Sequence, residues 1–260
     1  MLVPTYGDDG EWSKVGQAAR LRVQIESNLG YIAIHEWSNV QLTKQVLDGN
    51  LAELVSLLEP FEQRADLALE VFREGADPDH LESLSVETVR LLHNFVASVK
   101  SLVDHTRKVV RKDRESRLFQ QQYEARKDDL IGQPVAKFVQ NLRDYVLHRG
   151  PPRIIGSFQL RSGTAVVCLV RDDLARWSKW SAPARRWLES QPERIPVLLA
   201  VQQYDDLVSD LYDWLWKRLA DEHAEDMAEV DRLDDQRQAL YGGVPRDPDD
   251  PTRPFTSLNP

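Results

Sequence analysis

The sequence predicts a mainly α protein, an antiparallel helical bundle with one β-hairpin inserted after a helix over residues 134–148. Three observations carry that expectation. Apolar residues recur at three- and four-residue spacing over 11–47, 51–73, 86–111 and 197–240, the period of a helix that buries one face. Residues 134–148, PVAKFVQNLRDYVLH, form a shorter amphipathic helix closed by Gly150, Pro151 and Pro152, because two prolines cannot donate the next helical hydrogen bonds. Residues 154–160 and 164–170, joined by Arg161-Ser162-Gly163 and rich in Val, Ile and Thr, then read as two strands and a tight turn.

Taken in order, residues 1–10 are expected to be disordered, and a single helical domain is expected over 11–241. Val15, Ala18, Val23, Ile25, Leu29 and Ile32 mark the first helical pattern, with Asn28 and Gly30 as a kink or break. Asp48-Gly49-Asn50 reads as a turn, with Asn50 capping a second helix that Pro60 kinks. Residues 75–78 form a loop, and Ser85 opens a strong helix over 86–111. The charged segment through Lys127 continues or follows that helix before Gly132 and Pro134 reset the chain. Trp177, Trp180 and Trp187 surround SAPARRW and are expected to anchor the hairpin on the bundle, the alternative being a stacking surface for bases. Pro196 begins the last long element. Its first half belongs in the core, and its acidic second half projects or covers a basic surface. The tail over 242–260, with Pro245, Pro248, Pro251, Pro254 and Pro260, is expected to be disordered.

At 260 residues and 42% hydrophobic the chain can bury a substantial core. The one cysteine, Cys168, excludes an internal disulfide, and Val166, Val167, Leu169 and Val170 around it place it as a small buried residue. No stretch approaches the ~18 uncharged apolar residues of a membrane span. The opening residues carry no basic region followed by an apolar run, which predicts a cytoplasmic location. His93 and His105 share a helix without metal-ligand spacing, and no glycine-rich phosphate loop or nucleophile elbow is present, so no cofactor is expected. The net charge is −9, and residues 205–235 carry all of it, with twelve carboxylates against three basic side chains. Residues 107–127 hold eight basic side chains against three acidic ones, a net of +5, so a phosphate-attracting segment lies shortly before the helix over 134–148.

That helix carries the candidate site. With Val135, Phe138, Val139, Leu142 and Val146 facing the core, Gln140, Arg143, Asp144, Leu147 and His148 point away. Asp144 and His148 are four apart, so the carboxylate can hold the imidazole. Arg143 and His148 are five apart, about 140° around an ideal helix. One copy cannot easily bring both to a small ligand, whereas two copies across a two-fold axis can supply both to a shared cleft.

Arg143 followed by Asp144, with His148 five residues after the arginine, resembles the motif of the HEPN domains, and the LRDYVLH wording with its Gly-Pro-Pro exit is similar to bacterial members. The resemblance implies a dimerising helical bundle. In active members it implies a metal-independent endoribonuclease of toxin or phage-defence systems, with a homodimer, an RNA substrate and an antitoxin or other protein partner. It further implies His148 as proton-transfer residue, Arg143 as phosphate stabiliser and Asp144 orienting His148, with Gln140, Asn141 and Arg149 as flanking substrate contacts. Arg73 to His80 and Arg218 to His223, with six and four residues between arginine and histidine, also satisfy a spacing of Arg, four to six residues, His, but neither sits at the outward end of a well-terminated helix. The alternative is a non-catalytic helical dimerisation or interaction module whose acidic helix is a docking arm.

Overall fold

The computed structural model describes residues 14–72, 75, 77–111, 116–159, 161 and 164–242. The stretches 1–10 and 243–260 lie outside them. Among the described residues the protein is mainly helical, with ten helices and a small three-stranded antiparallel sheet. No helix among them is long and apolar enough to cross a membrane. Where the sequence reading has one domain, the chain divides into two compact units, one from residues before 40 and after 212, the other from residues 40–212.

The first unit contains α1 (Lys14–Ser27), the start of α2 (Leu29–Gln63), the end of α9 (Val197–Glu222) and α10 (Ala224–Ala239). The break at Asn28 has a local cause: its side-chain oxygen accepts from the backbone N–H groups of Gly30 at 2.8 Å and Tyr31 at 3.3 Å, capping α2. Ile25 of α1 packs with Val230 and Leu233 of α10, flanked by Leu21 and Tyr31. Gly30 permits the close approach of α10, since a Cβ there would lie 2.6 Å from the Asp226 Cβ. Trp37 and Trp216 meet edge to face at 6.0 Å. The acidic helix α10 therefore packs on α1 of its own chain, and the long pattern expected from Pro196 onward is two helices parted at His223.

In the second unit α2 runs straight through residues 48–50, so the expected turn does not form. Leu47, Leu54 and Leu58 are buried at helical spacing, and Lys44 pairs with Asp48 at 2.5 Å one turn on. Core packing on both sides of Gly49 outweighs its weak helix propensity. Pro60 is accommodated inside α2, and the interruption falls at Arg64, ahead of α3 (Ala65–Phe72). The next helix, α4 (Pro78–Val110), starts well before Val86. Asp77 caps it by accepting from the Asp79 N–H at 3.0 Å, and Pro78 occupies its first turn. Ser85 is interior and returns its hydroxyl to the Leu81 carbonyl. The charged segment then forms a separate helix, α5 (Arg117–Leu130), capped by Ser116, and α6 (Pro134–His148) follows.

Strands β1 (Ile154–Gln159) and β2 (Thr164–Val170) pair antiparallel with Ile154 opposite Leu169, as the hairpin reading expects. A third strand, β3 (Arg194–Pro196), adds to the free edge of β2 with Ile195 opposite Leu169. Three residues are too few to show a period, so the sequence does not announce it. Between β2 and β3 lie α7 (Arg171–Ala175) and α8 (Ala182–Ser190). Cys168 is buried as expected, and desolvation lifts its thiol to about 11, so it stays protonated at neutral pH.

Gly156 fixes how the sheet sits on α3. A Cβ at this position would lie 1.8 Å from the Phe72 ring, which itself meets Phe61 edge to face at 5.8 Å. Gly156→Ala is accordingly expected to cost about 1–3 kcal/mol in a urea unfolding series. The double variant Gly156→Ala/Phe72→Leu should recover part of that loss; a loss unchanged by the second substitution would place the clash elsewhere.

Candidate functional site

The orientation of α6 is set by aromatic packing. Its buried face comprises Val135, Ala136, Phe138, Val139, Leu142 and Tyr145. Phe138 stacks on Trp180 at 5.3 Å and lies 4.3 Å from Trp187, while Tyr145 stacks on Trp180 at 5.8 Å and meets Trp177 edge to face at 5.6 Å. The Trp180 indole N–H donates to the Leu174 carbonyl at 2.8 Å, which satisfies its one polar atom. All three tryptophans of this cluster therefore pack on α6, where the sequence reading has them anchoring the hairpin.

With this face fixed, the candidate residues separate. Arg143 and Asp144 are both partly exposed, with side-chain exposures of 31% and 43%, and pair with each other at 2.8 Å. Asp144 thus engages the arginine in place of the expected His148 ring. The adjacent pairing is possible because the arginine side chain is long enough to fold along the helix surface. His148 is exposed and is the last residue of the helix, with Arg149 as its C-cap. There Gly150, at φ +127°, adopts a backbone conformation that L side chains rarely take.

The three expected substrate contacts have partners inside the chain. Gln140 hydrogen-bonds the Tyr204 hydroxyl and so faces inward, contrary to the expected outward placement. Asn141 accepts from the Ser181 backbone N–H at 3.0 Å, tying α6 to the start of α8. Arg149 is exposed and hydrogen-bonds Tyr145, whose hydroxyl is raised above its ordinary range chiefly by burial. Gln140 and Asn141 thus tie α6 to α9 and to the start of α8, whereas the Arg149 contact lies at the end of α6 itself.

The structure also brings in residues that the sequence reading did not assign. Arg143 and Leu147 share a groove of about 320 Å³ with His93, Lys100, Ser101 and Asp104 of α4. His93 thus stands on the Arg143 side of α6, a neighbour that no spacing along the chain could reveal. On another side of α6, Lys137 and Gln140 face a second cavity bounded by α4, α5 and α9. The sequence carried a partial signal for it, since Lys137 lies one turn before Gln140 and the basic segment over 107–127 immediately precedes the helix.

Of the looser arginine-histidine spacings, Arg218 pairs with Glu222 at 2.6 Å and His223 is buried, while Arg73 lies outside the described residues. Comparison with known proteins finds no matching family model, no matching curated protein and no matching solved structure.

The aromatic cluster makes a graded prediction. Trp180→Ala removes the one ring that stacks on both Phe138 and Tyr145 of α6 and is expected to cost about 3–5 kcal/mol. Asn141→Ala removes one hydrogen bond and should cost about 1 kcal/mol. Thermal denaturation with near-ultraviolet circular dichroism checks both, and equal losses would contradict the assignment of the aromatic cluster as the main anchor.

Proposed function

We propose that the chain is a HEPN-like, metal-independent endoribonuclease, a toxin or phage-defence effector that cleaves RNA in a cleft shared by two copies. The observation that carries this reading is the end of α6, where Arg143, Asp144 and His148 are all reached by solvent on one well-terminated helix. None of the three is drawn into the apolar core. In the proposed reaction the RNA 2′-hydroxyl attacks the adjacent phosphorus while an imidazole takes its proton. The bond from phosphorus to the 5′-oxygen breaks, and that oxygen is protonated as it leaves. The products are a 2′,3′-cyclic phosphate and a 5′-hydroxyl. Arg143 supplies positive charge to the phosphoryl oxygens, and His148 is the proton-transfer residue.

The Arg143–Asp144 pair assigns Asp144 a different task from the one the resemblance implies. A guanidinium has five N–H donors, and the carboxylate occupies one of them, so the pair restricts the arginine without exhausting it. The second reading, a non-catalytic dimerisation or interaction module, is favoured by the same pair beside Leu147, which is 49% exposed. An apolar side chain flanked by paired charges also suits a contact between protein surfaces.

Purified protein incubated with single-stranded and hairpin RNA in EDTA decides between them. Cleavage to cyclic-phosphate ends is expected, with Arg143→Ala and His148→Ala each slowing it by about 10²–10⁴-fold. Cleavage that persists in the double variant rejects the assignment. Loss in His93→Ala with His148→Ala at full rate would move proton transfer to His93 within one copy. Absence of cleavage, together with a dimer that Leu147→Asp dissociates, would establish the interaction module.

A further inference from the structure

A cavity of about 320 Å³ lies between α4, α5, α6 and α9, within the unit formed by residues 40–212. Four cations line it: Arg107 and Arg111 from the end of α4, Lys127 from α5 and Lys137 from α6. Glu124 and Asp128 also line it, both against Lys127, which pairs with Glu124 and lies 3.6 Å from Asp128, while Arg107 lies 3.8 Å from Asp104 outside the cavity. Lys137 is half-buried and has no carboxylate within ion-pair distance among the described residues. Its ammonium is held below the usual lysine range by burial first and then by Lys127, with Asp128 opposing the shift and Arg107 adding to it. An unpaired, partly desolvated cation among further cations costs free energy unless something anionic answers it.

The rest of the wall is suited to more than a bare ion. Tyr123, Tyr204 and Tyr212 are buried around the cavity. The Tyr204 hydroxyl is occupied by Gln140 and the Tyr212 hydroxyl by Thr106, so their polar atoms are already satisfied. Burial raises all three tyrosine hydroxyls, that of Tyr123 to about 12, and keeps them neutral. Leu102 and Val110 of α4 complete an apolar side. The combination is a cationic mouth over an apolar, aromatic-edged wall, at the small end of the range of about 300–1,000 Å³ typical of ligand pockets.

We infer that this cavity binds a small phosphorylated molecule of mononucleotide size, with its phosphate against Lys137, Arg107, Arg111 and Lys127 and its ring against the apolar wall. Lysine ammonium and arginine guanidinium groups together match a phosphate dianion, the lysine as a point charge and the arginines as forked donors. The volume leaves room for a ring beyond the phosphate. The inference stands independently of the ribonuclease reading, because α6 lines the cavity with Lys137 and Gln140 and with neither Arg143 nor His148.

The test uses the full chain and calorimetric titration at low salt with adenosine and guanosine monophosphates, inorganic phosphate and a short single-stranded RNA. Saturable one-to-one binding of a mononucleotide is expected, and Lys137→Gln should weaken it by roughly tenfold or more. The same substitution removes an unpaired half-buried charge, so the ligand-free Tm should hold or rise, which separates lost binding from lost folding. No binding of any mononucleotide overturns the inference, as does mononucleotide binding indifferent to Lys137→Gln. Binding of phosphate alone would reduce the site to an anion hole and overturn the ring-bearing ligand. RNA binding that depends on Lys137 without mononucleotide binding would reassign the cavity to a polymer.

Discussion

The rotation of α6 about its own axis is the constraint on which both candidate sites depend. Phe138 and Tyr145 are held by stacking against Trp180, with Trp187 and Trp177 closing the two ends. Offset-stacked and edge-to-face contacts have defined geometry as well as buried area, so they fix angle where a purely aliphatic face would tolerate slippage. Once that face is seated, every other position on the helix is determined. Lys137 and Gln140 enter one cavity, Arg143 and Leu147 line another groove, and His148 reaches solvent in the last turn. Asn141 locks the same angle from a second direction through the Ser181 N–H. A polar residue next to the aromatic face thus makes the orientation specific, because only one rotation leaves its amide satisfied.

The charge distribution follows from a similar logic. Glu225 and Asp226 lie in the first turn of α10, where carboxylates complement the helix dipole. Further along, Arg232 pairs with Glu229 and Arg237 with Asp234, each three residues apart. The apolar residues of α10 are spent against α1, so the helix has a packing role that its composition alone conceals.

Much of the architecture could be read from the chain because the signals were local. The amphipathic stripe and Gly-Pro-Pro exit of α6, the break at Asn28 and the β-branched hairpin each rest on residues within a turn or two of one another. The failures share the opposite property. Asp48-Gly49-Asn50 is a good turn sequence in isolation, yet Leu47 and Leu54 are both buried, and the helix that buries them must pass through. At Asp77-Pro78 a capping signal was present and the loop reading of the adjacent glycine overrode it. Strand β3 exists only because β2 offers an open edge. At the site, helical spacing located Arg143 and His148 on exposed faces, but it could not show that Asp144 turns to Arg143, or that His93 comes from α4 to the same groove.

The geometry of the Arg143–Asp144 pair bears on how such a site could work. Both side chains are substantially solvated, and an ion pair in that setting contributes little, about 0–1 kcal/mol, because water competes for both partners and two flexible chains must be held still. The pair is therefore a poor explanation of stability. Its effect on position is larger: a guanidinium tethered at 2.8 Å samples fewer directions than a free one, and less of its entropy remains to be lost when a phosphate arrives. An anion brought near would meet a guanidinium still holding most of its donors, so tether and ligand need not compete for the same N–H groups. His148 has no such tether among the described residues, and its separation of about 140° from Arg143 on an ideal helix keeps it off the same small ligand within one copy. Any chemistry that uses both must import one of them, and a two-fold related helix end imports both at once.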